Sequence, residues 1–377
     1  MKTAFKLLPL TLAVAASSSY AANYAVEARG DAMGGVGVVS ANFLTAPFYN
    51  PALTAIYRRN DDVGMITPSI GFNYTDTGTI VDDLEFAENV INTGNAANAQ
   101  KAIDQLQGDN LKVDVGGVAA FAIPNRFIAA NAFAKLYTES YATAEIATGG
   151  DAYTRLQNST VRAVSVGVAE AGISLAKYQT FMGQHIAFGV TPKMQRVYTY
   201  VYEASLQTYD LADLRKNGQG ETMFNMDAGF VWFHGPFRAG IAATNLISRD
   251  IQTQTISSVH GGTPISYAYE MSPQYTVGAG IVADYFTLSV DYDLKEEERY
   301  KTFDDNTQMI RVGGEIDILR QLKLRAGWKK NLAYDDLDGT VTAGIGLSPL
   351  NLFQMDIGAS YTNENSMGAY VNFLTSY

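Results

Sequence analysis

Apolar and polar positions alternate with a period of two along most of this 377-residue chain. In residues 285–293, Phe286, Leu288, Val290 and Tyr292 share one face and Thr287, Ser289, Asp291 and Asp293 the other, the repeat that a β-strand imposes. Residues 351–361 set Phe353, Met355, Ile357, Ala359 and Tyr361 against Gln354, Asp356, Gly358 and Ser360. Residues 339–347 oppose Val341, Ala343, Ile345 and Leu347 to Thr340, Thr342, Gly344 and Gly346, and residues 224–232 oppose Phe224, Met226, Ala228, Phe230 and Trp232 to Asn225, Asp227 and Gly229. Read as strands of roughly 9 to 13 residues, close to the span a tilted membrane strand needs, the pattern predicts about fourteen. They begin near positions 62, 111, 126, 163, 183, 222, 236, 273, 285, 307, 320, 339, 351 and 367.

The joints between these strands alternate in length. Short ones fall at Pro124-Asn125, Tyr178 to Gly183, His234 to Pro236, Asp284, Leu319-Arg320 and Pro349-Leu350. Longer ones fall near 139–160, 199–220, 248–272, 296–306, 331–338 and 362–366. Short turns on one rim and long loops on the other are the outer-membrane arrangement, and an even strand number suits a single-chain barrel. A Greek-key sandwich gives no reason for such alternation. One segment breaks the pattern. Ile80, Leu84, Ala87 and Ile91 fall on one helical face, and after Gly94-Asn95 so do Ala99, Ala102, Ile103 and Leu106. Two short amphipathic helices are expected over the extracellular mouth, either as a lid packed on the loops or as a capture groove for a hydrophobic ligand.

Composition agrees with alternation. The chain is 47% hydrophobic with 23 Tyr, 18 Phe and 34 Gly, yet its mean hydropathy is −0.04. No apolar run after residue 21 reaches the length of a transmembrane helix. Lys2 and Lys6 precede an apolar run from Leu7 to Ala16, with small residues through Ala21, which reads as a signal peptide, 1–21, and export to the outer membrane. The fold class expected is therefore all-β: a transmembrane antiparallel barrel of about 14 strands over residues 62–377, an N-terminal plug over 22–61, and a helical extracellular insert over 76–110. Its surroundings would be outer-membrane lipid and lipopolysaccharide, and its folding partner the barrel-assembly machinery. In residues 366–373, Ser366, Gly368, Val371 and Phe373 stand in an order that resembles the C-terminal signal read by that machinery.

The absence of cysteine removes disulfides, thiolate metal sites and cysteine nucleophiles. The 27 Lys+Arg and 38 Asp+Glu become 25 and 38 once Lys2 and Lys6 are set aside, a charge of −13 that offers nucleic acid no basic face. His185 and His234 are expected in short turns and His260 in a long loop of the opposite rim, too dispersed for a nucleophile–histidine–acid triad. No catalytic residue, metal site or cofactor is assigned, and no enzyme activity is expected. The acidic runs at 295–299 and 335–339 lack the spacing of a calcium loop and read as solvated loop tips.

Two groups remain as candidate site residues. Arg311, Glu315 and Asp317, with Lys323, Arg325 and Lys329 on the next strand, lie opposite the apolar face. Charge is costly toward lipid, so they are expected in the lumen, pairing across strands, anchoring a plug, or lining a path for anionic solutes. Gly34, Gly35 and Gly37 are followed by Val38, Val39 and Ser40, so no dinucleotide-binding glycine motif is completed. With Asn50, Pro51 and Ala52 they form the candidate plug motif. Asn50 would fix a turn through its side chain and Pro51 would hold its neighbour extended.

Glu27, the glycine run, and Asn50-Pro51-Ala52 followed by Leu53 and Ile56 together resemble the plug of the FadL-like long-chain fatty acid transporter superfamily. Within it, residues 46–62 look most like barrel proteins labelled conjugal transfer protein TraF. The resemblance implies a fourteen-stranded barrel with an N-terminal plug, and hydrophobic ligands captured by outer loops and passed through the wall as the plug moves. Fold carries over better than function. The expected function is a channel for small hydrophobic or amphipathic compounds. The alternative is a non-transporting barrel acting as a scaffold or docking component in conjugal plasmid transfer or surface assembly.

Overall fold

The computed structural model describes residues 27–56, 64–76, 78–123, 127–301, 303, 305–334, 338–349 and 353–376. Residues 57–63, Pro124, Asn125, 335–337 and the expected signal peptide lie outside them. The strands are β1 (Gly64–Asp76), β2 (Asn110–Ile123), β3 (Ala129–Glu145), β4 (Thr160–Phe181), β5 (Gln184–Ser205), β6 (Gly218–His234), β7 (Phe237–Thr244), β8 (Arg249–Gln252), β9 (Ala268–Met271), β10 (Gln274–Val282), β11 (Phe286–Asp293), β12 (Met309–Ile318), β13 (Leu322–Asn331), β14 (Thr340–Leu347), β15 (Gln354–Asn363) and β16 (Ser366–Ser376). Fourteen of them form one closed antiparallel barrel in chain order, with β8 and β9 apart as a small hairpin in the long β7–β10 connection. Closure comes from β1 against β16, where Phe72 faces Ala369 and Asn73 faces Gly368. Each barrel strand begins within four residues of its expected start.

Alternation resolves into an outside and an inside. Phe286, Leu288 and Val290 turn outward at 41–43% exposure, while Thr287, Ser289 and Asp291 between them are buried. Ile345, Ile357, Phe224 and Phe230 join the outward apolar band, and Thr342, Asp356, Ser360, Asn225 and Asp227 turn inward. Such a surface is stable against hydrocarbon and hazardous in water.

The wall is not level. β3 and β6 have 17 residues and β4 and β5 have 22, against the 9 to 13 expected. At ~3.3 Å per residue the two longest reach about 70 Å, well beyond a hydrocarbon core of about 30 Å even when tilted. At the short-turn end β4 and β5 run past the start of β3, and the rest of the excess stands above the long-loop rim. The helices α3 (Ile80–Asn92) and α4 (Ala99–Leu106), numbered after two short turns described below, pack on its inner face. Ile80, Leu84, Ala87, Ile103 and Leu106 join Leu111, Tyr137, Val161 and Tyr202 in one cluster. A further helix, α5 (Ala152–Gln157), adds Leu156 to it. Both helical faces are thus spent on the wall, so the insert packs as a lid and leaves no open apolar groove along those faces.

Other connections differ from expectation in detail. The joint at 362–366 is a tight turn, β15 ending at Asn363 and β16 starting at Ser366, although it lies on the long-loop rim. The segment 248–272 contains the β8–β9 hairpin, and 199–220 is largely strand and a 3-10 turn, Leu211–Asn217. His185 and His234 are strand-end residues flanking the turns at 182–183 and 235–236 rather than turn residues. Loop 294–308 folds inward. Tyr300 donates through its hydroxyl to the Ser165 carbonyl at 2.7 Å, and Phe303 sits edge-on to Tyr141 and Tyr267.

Candidate functional site

Residues 27–56 lie inside the barrel. Almost all are buried, although only two short helical turns, α1 (Ala28–Asp31) and α2 (Ala46–Tyr49), and a 3-10 turn, Pro51–Ala55, give them regular structure. A segment this short of helix leaves many backbone groups to be satisfied by other means. They are satisfied by polar side chains reaching in from the wall. Asp291 of β11 accepts from the Gly37 and Val38 amides at 2.7 and 3.0 Å. Thr342 of β14 accepts from the Gly34 amide at 2.8 Å and donates to the Ala32 carbonyl at 3.0 Å. Asn131 of β3 donates to the Phe43 carbonyl at 2.8 Å, and Arg238 of β7 to that of Val39 at 3.1 Å.

The firmest anchor is a circuit of charge. Arg29 grips Glu315 of β12 through two hydrogen bonds of 3.1 Å. Glu315 also accepts from Arg325 of β13 at 2.6 Å, and Arg325 bonds Asp356 of β15 at 2.6 Å. Asn372 of β16 then donates to Asp356 at 3.1 Å and accepts from the Ala28 amide at 2.9 Å, one residue from Arg29. Four strands and one turn of helix are closed in a ring of charge-assisted bonds. Glu27 caps that turn, accepting from the Arg29 and Gly30 amides.

The candidate glycines and Asn50 each have a place in this packing. Gly34 takes φ +72°, and a Cβ there would lie 2.8 Å from the Val312 and Trp328 carbonyls. Gly37 packs under the Tyr49 ring, 2.1 Å from where its Cβ would stand. Asn50 is extended at φ −149° and ψ 108°, and its side-chain oxygen accepts from the Ala52 amide at 3.0 Å. Its side-chain NH₂ donates to the Val38 carbonyl at 2.9 Å and approaches the wall carbonyls of Phe230 and Ile241 at 3.3 and 3.4 Å. The wall makes room with glycines of its own. A Cβ on Gly313 would meet Met33 at 1.9 Å, one on Gly327 would meet Met33 and Gly34 at 2.3 Å, and one on Gly229 would meet Asn50 at 1.9 Å. No sequence pattern distinguishes these wall glycines from others on inward faces.

Among the charges expected to pair across β12 and β13, the register does bring opposites together: Glu315 faces Arg325 and Asp317 faces Lys323. Only the first is an ion pair. Lys323 donates instead to Gln354 at 2.5 Å, and a carboxylate oxygen of Asp317 is buried without a partner. Arg311 faces Lys329, a like charge, and turns to Asp293 of β11 with bonds of 2.8 and 3.0 Å. The sequence reading also missed a second inward network in which Lys193 bridges Glu170 at 3.2 Å and Asp227 at 2.9 Å. The signal was present, since each stands at an inward position of a strand, but only the β4–β5–β6 register shows that they meet.

Above this segment lies a cavity of about 190 Å³. Asp31 is the sole residue of 27–56 that lines it. Its other walls come from strand ends on the long-loop rim, among them Asn73, Asp114, Lys329, Thr340, Ser360 and Tyr370. A smaller cavity of about 60 Å³ lies beside it and shares Asp31, Thr307 and Lys329. Among the described residues no group of His, Cys, Asp and Glu could hold a metal ion.

No curated protein matches the chain. In solved structures the same architecture recurs at low identity. The Ralstonia pickettii toluene transporter TbuX is 13% identical with a TM-score of 0.59, over 94% of this chain and 99% of that one. The Pseudomonas putida toluene transporter TodX is 11% identical at 0.54, over 94% and 99%. A Pseudomonas aeruginosa FadL homologue is 11% identical at 0.52, over 96% and 98%. These likenesses carry the fold: a FadL-like barrel. The family model described as "F plasmid transfer operon, TraF, protein" matches residues 47–293, from the second half of the luminal segment to the end of β11. A barrel of FadL-like architecture, the chain belongs to that TraF family.

Proposed function

We propose that this protein is an outer-membrane channel for small hydrophobic or amphipathic compounds, with residues 27–56 as its plug and the long-loop rim facing outward. One observation carries the reading. The luminal segment is held by side chains from separate strands rather than by a backbone ladder to the wall, so it can leave without unzipping the barrel. The cavity on the outer side of it supports a small solute. An enclosed apolar cavity of about 150 Å³ takes benzene, and this one is of similar size, its lining mixing charged and polar groups with Tyr74, Val115, Tyr137 and Met309. The proteins titled toluene transporters share this architecture and add weight to transport.

The test is conductance in planar bilayers. The wild-type barrel should be nearly silent. Gly313→Val, whose side chain would displace Met33, should open steps of constant size. A properly folded Gly313→Val barrel that stays silent would end the channel reading. The family's description favours the second reading, a docking component in plasmid transfer. That reading expects reduced transfer and unchanged solute uptake in a deletion strain.

A further inference from the structure

The larger luminal cavity contains charges that the fold leaves unused. One carboxylate oxygen of Asp31 is buried without a hydrogen-bond partner, and the residue is 6% exposed. One oxygen of Asp114, on β2, is buried without a partner in the same cavity. Lys329, on the facing side at β13, makes no hydrogen bond or ion pair among the described residues, although it lines both cavities. Several other luminal charges are paired: Arg29, Arg311, Arg325, Lys193, Glu170 and Glu315 each have a partner within 3.3 Å. A buried carboxylate oxygen without a hydrogen bond is costly, and such a group calls for an explanation, a bound ion or ligand among them. Burial pushes the Asp31 carboxyl well above the usual range against the pull of Lys329, and an ammonium placed beside it would bring it back down.

The cavity presents unspent negative and positive charge across one small space, with Asn73, Ser360 and Tyr370 hydroxyl and amide groups around it. A purely hydrophobic guest would leave the Asp31 and Asp114 oxygens without hydrogen-bond partners, and a lone anion or cation would satisfy one sign and repel the other. We propose that the luminal cavity binds a small zwitterion bearing an ammonium and a carboxylate on an apolar skeleton, the ammonium at Asp31 and Asp114 and the carboxylate at Lys329. The proposal rests on the channel reading for its route of entry and deepens it by naming the class of solute. Because Asp31 belongs to the plug, the guest would touch the plug directly.

Binding is measured by titration calorimetry on the detergent-purified full-length barrel, with L-valine as probe. Isobutylamine and isovalerate serve as matched guests lacking the carboxylate or the ammonium. Valine should bind at least tenfold more tightly than either. Asp31→Asn and Lys329→Gln should each weaken valine at least tenfold, with Asp104→Asn on the exposed face of α4 unchanged. Folding of each variant is checked by heat-modifiable migration, and the guest comparison on wild-type protein needs no variant. Equal affinity for the three guests, or no valine binding, overturns the proposal. Valine binding in a barrel whose Gly313→Val variant never conducts keeps the site and rejects the channel. Conduction without any preference for valine keeps the channel and rejects the site.

Discussion

Glu315 is the residue on which the luminal segment depends most, because it joins Arg29 of the segment to Arg325 of the wall at 11% side-chain exposure. Removing one member of a buried ion pair strands its partners and costs roughly 3–5 kcal/mol. Glu315→Gln should therefore raise the open population of the segment by at least about a hundredfold. Trypsin cleavage after Arg29 reads that population directly, provided opening is fast relative to cleavage. An unchanged rate would show that the circuit does not hold the segment. The expected inward position of Glu315 was legible from strand periodicity alone, and so was its neighbour Arg325. Arg29 was not, since it stands 286 residues away in the chain and nothing in local pattern ties the two. The same limit explains Arg311: the pattern gives its face but not which adjacent strand offers the acid, and Asp293 lies on the side opposite Lys329.

At the scale of elements, the helical insert and the inward loop are separate devices on one rim. Ile103 of α4 is fully buried between the helices and the raised wall. Ile103→Ala should cost about 2–5 kcal/mol locally. Hydrogen exchange should then rise in 80–106 and not in β10–β16. Exchange that rises evenly around the barrel would mean that the lid and wall are one cooperative unit. Loop 294–308 carries a titration of its own. Asp305 accepts from the Tyr300 amide, and burial with the nearby Glu139 carboxylate pushes its carboxyl up to about 7. An acid whose pKa is raised on folding prefers the folded loop when protonated. That stability is complete below the ordinary value of about 4 and is lost as pH rises toward about 7. The loop should thus loosen between pH 4 and pH 7, seen as rising exchange at 296–303, and Asp305→Asn should flatten the profile. Loosening in the opposite direction would contradict the burial assigned to Asp305. Helix positions were readable because an amphipathic face repeats over several turns. The four-residue strands β8 and β9 were not, because they are too short for a period to show.

Across the whole molecule, closure decides stability. Every barrel strand has two neighbours, so no edge is left to water or lipid. The folded barrel should resist unheated detergent and migrate faster on a gel than the boiled chain, and it should fractionate with outer membranes. Migration indifferent to heating would refute a closed barrel. Sequence by itself determined what is local. Strand number, strand starts, the two faces of each strand and the helical insert follow from side chains alternating against two solvents, lipid outside and a polar interior, and that constraint acts on every short window of the chain. Tertiary structure alone decided what depends on bringing distant segments together. The ring from Arg29 to Asn372, the wall glycines that admit Met33 and Asn50, the height of β4 and β5, and the unpartnered Asp31 oxygen that shares a cavity with Lys329 all arise when β1 meets β16 around a segment that no strand pattern describes. The physical reason is that periodicity reports which way a side chain points, whereas partnership depends on register and closure summed around the full circumference.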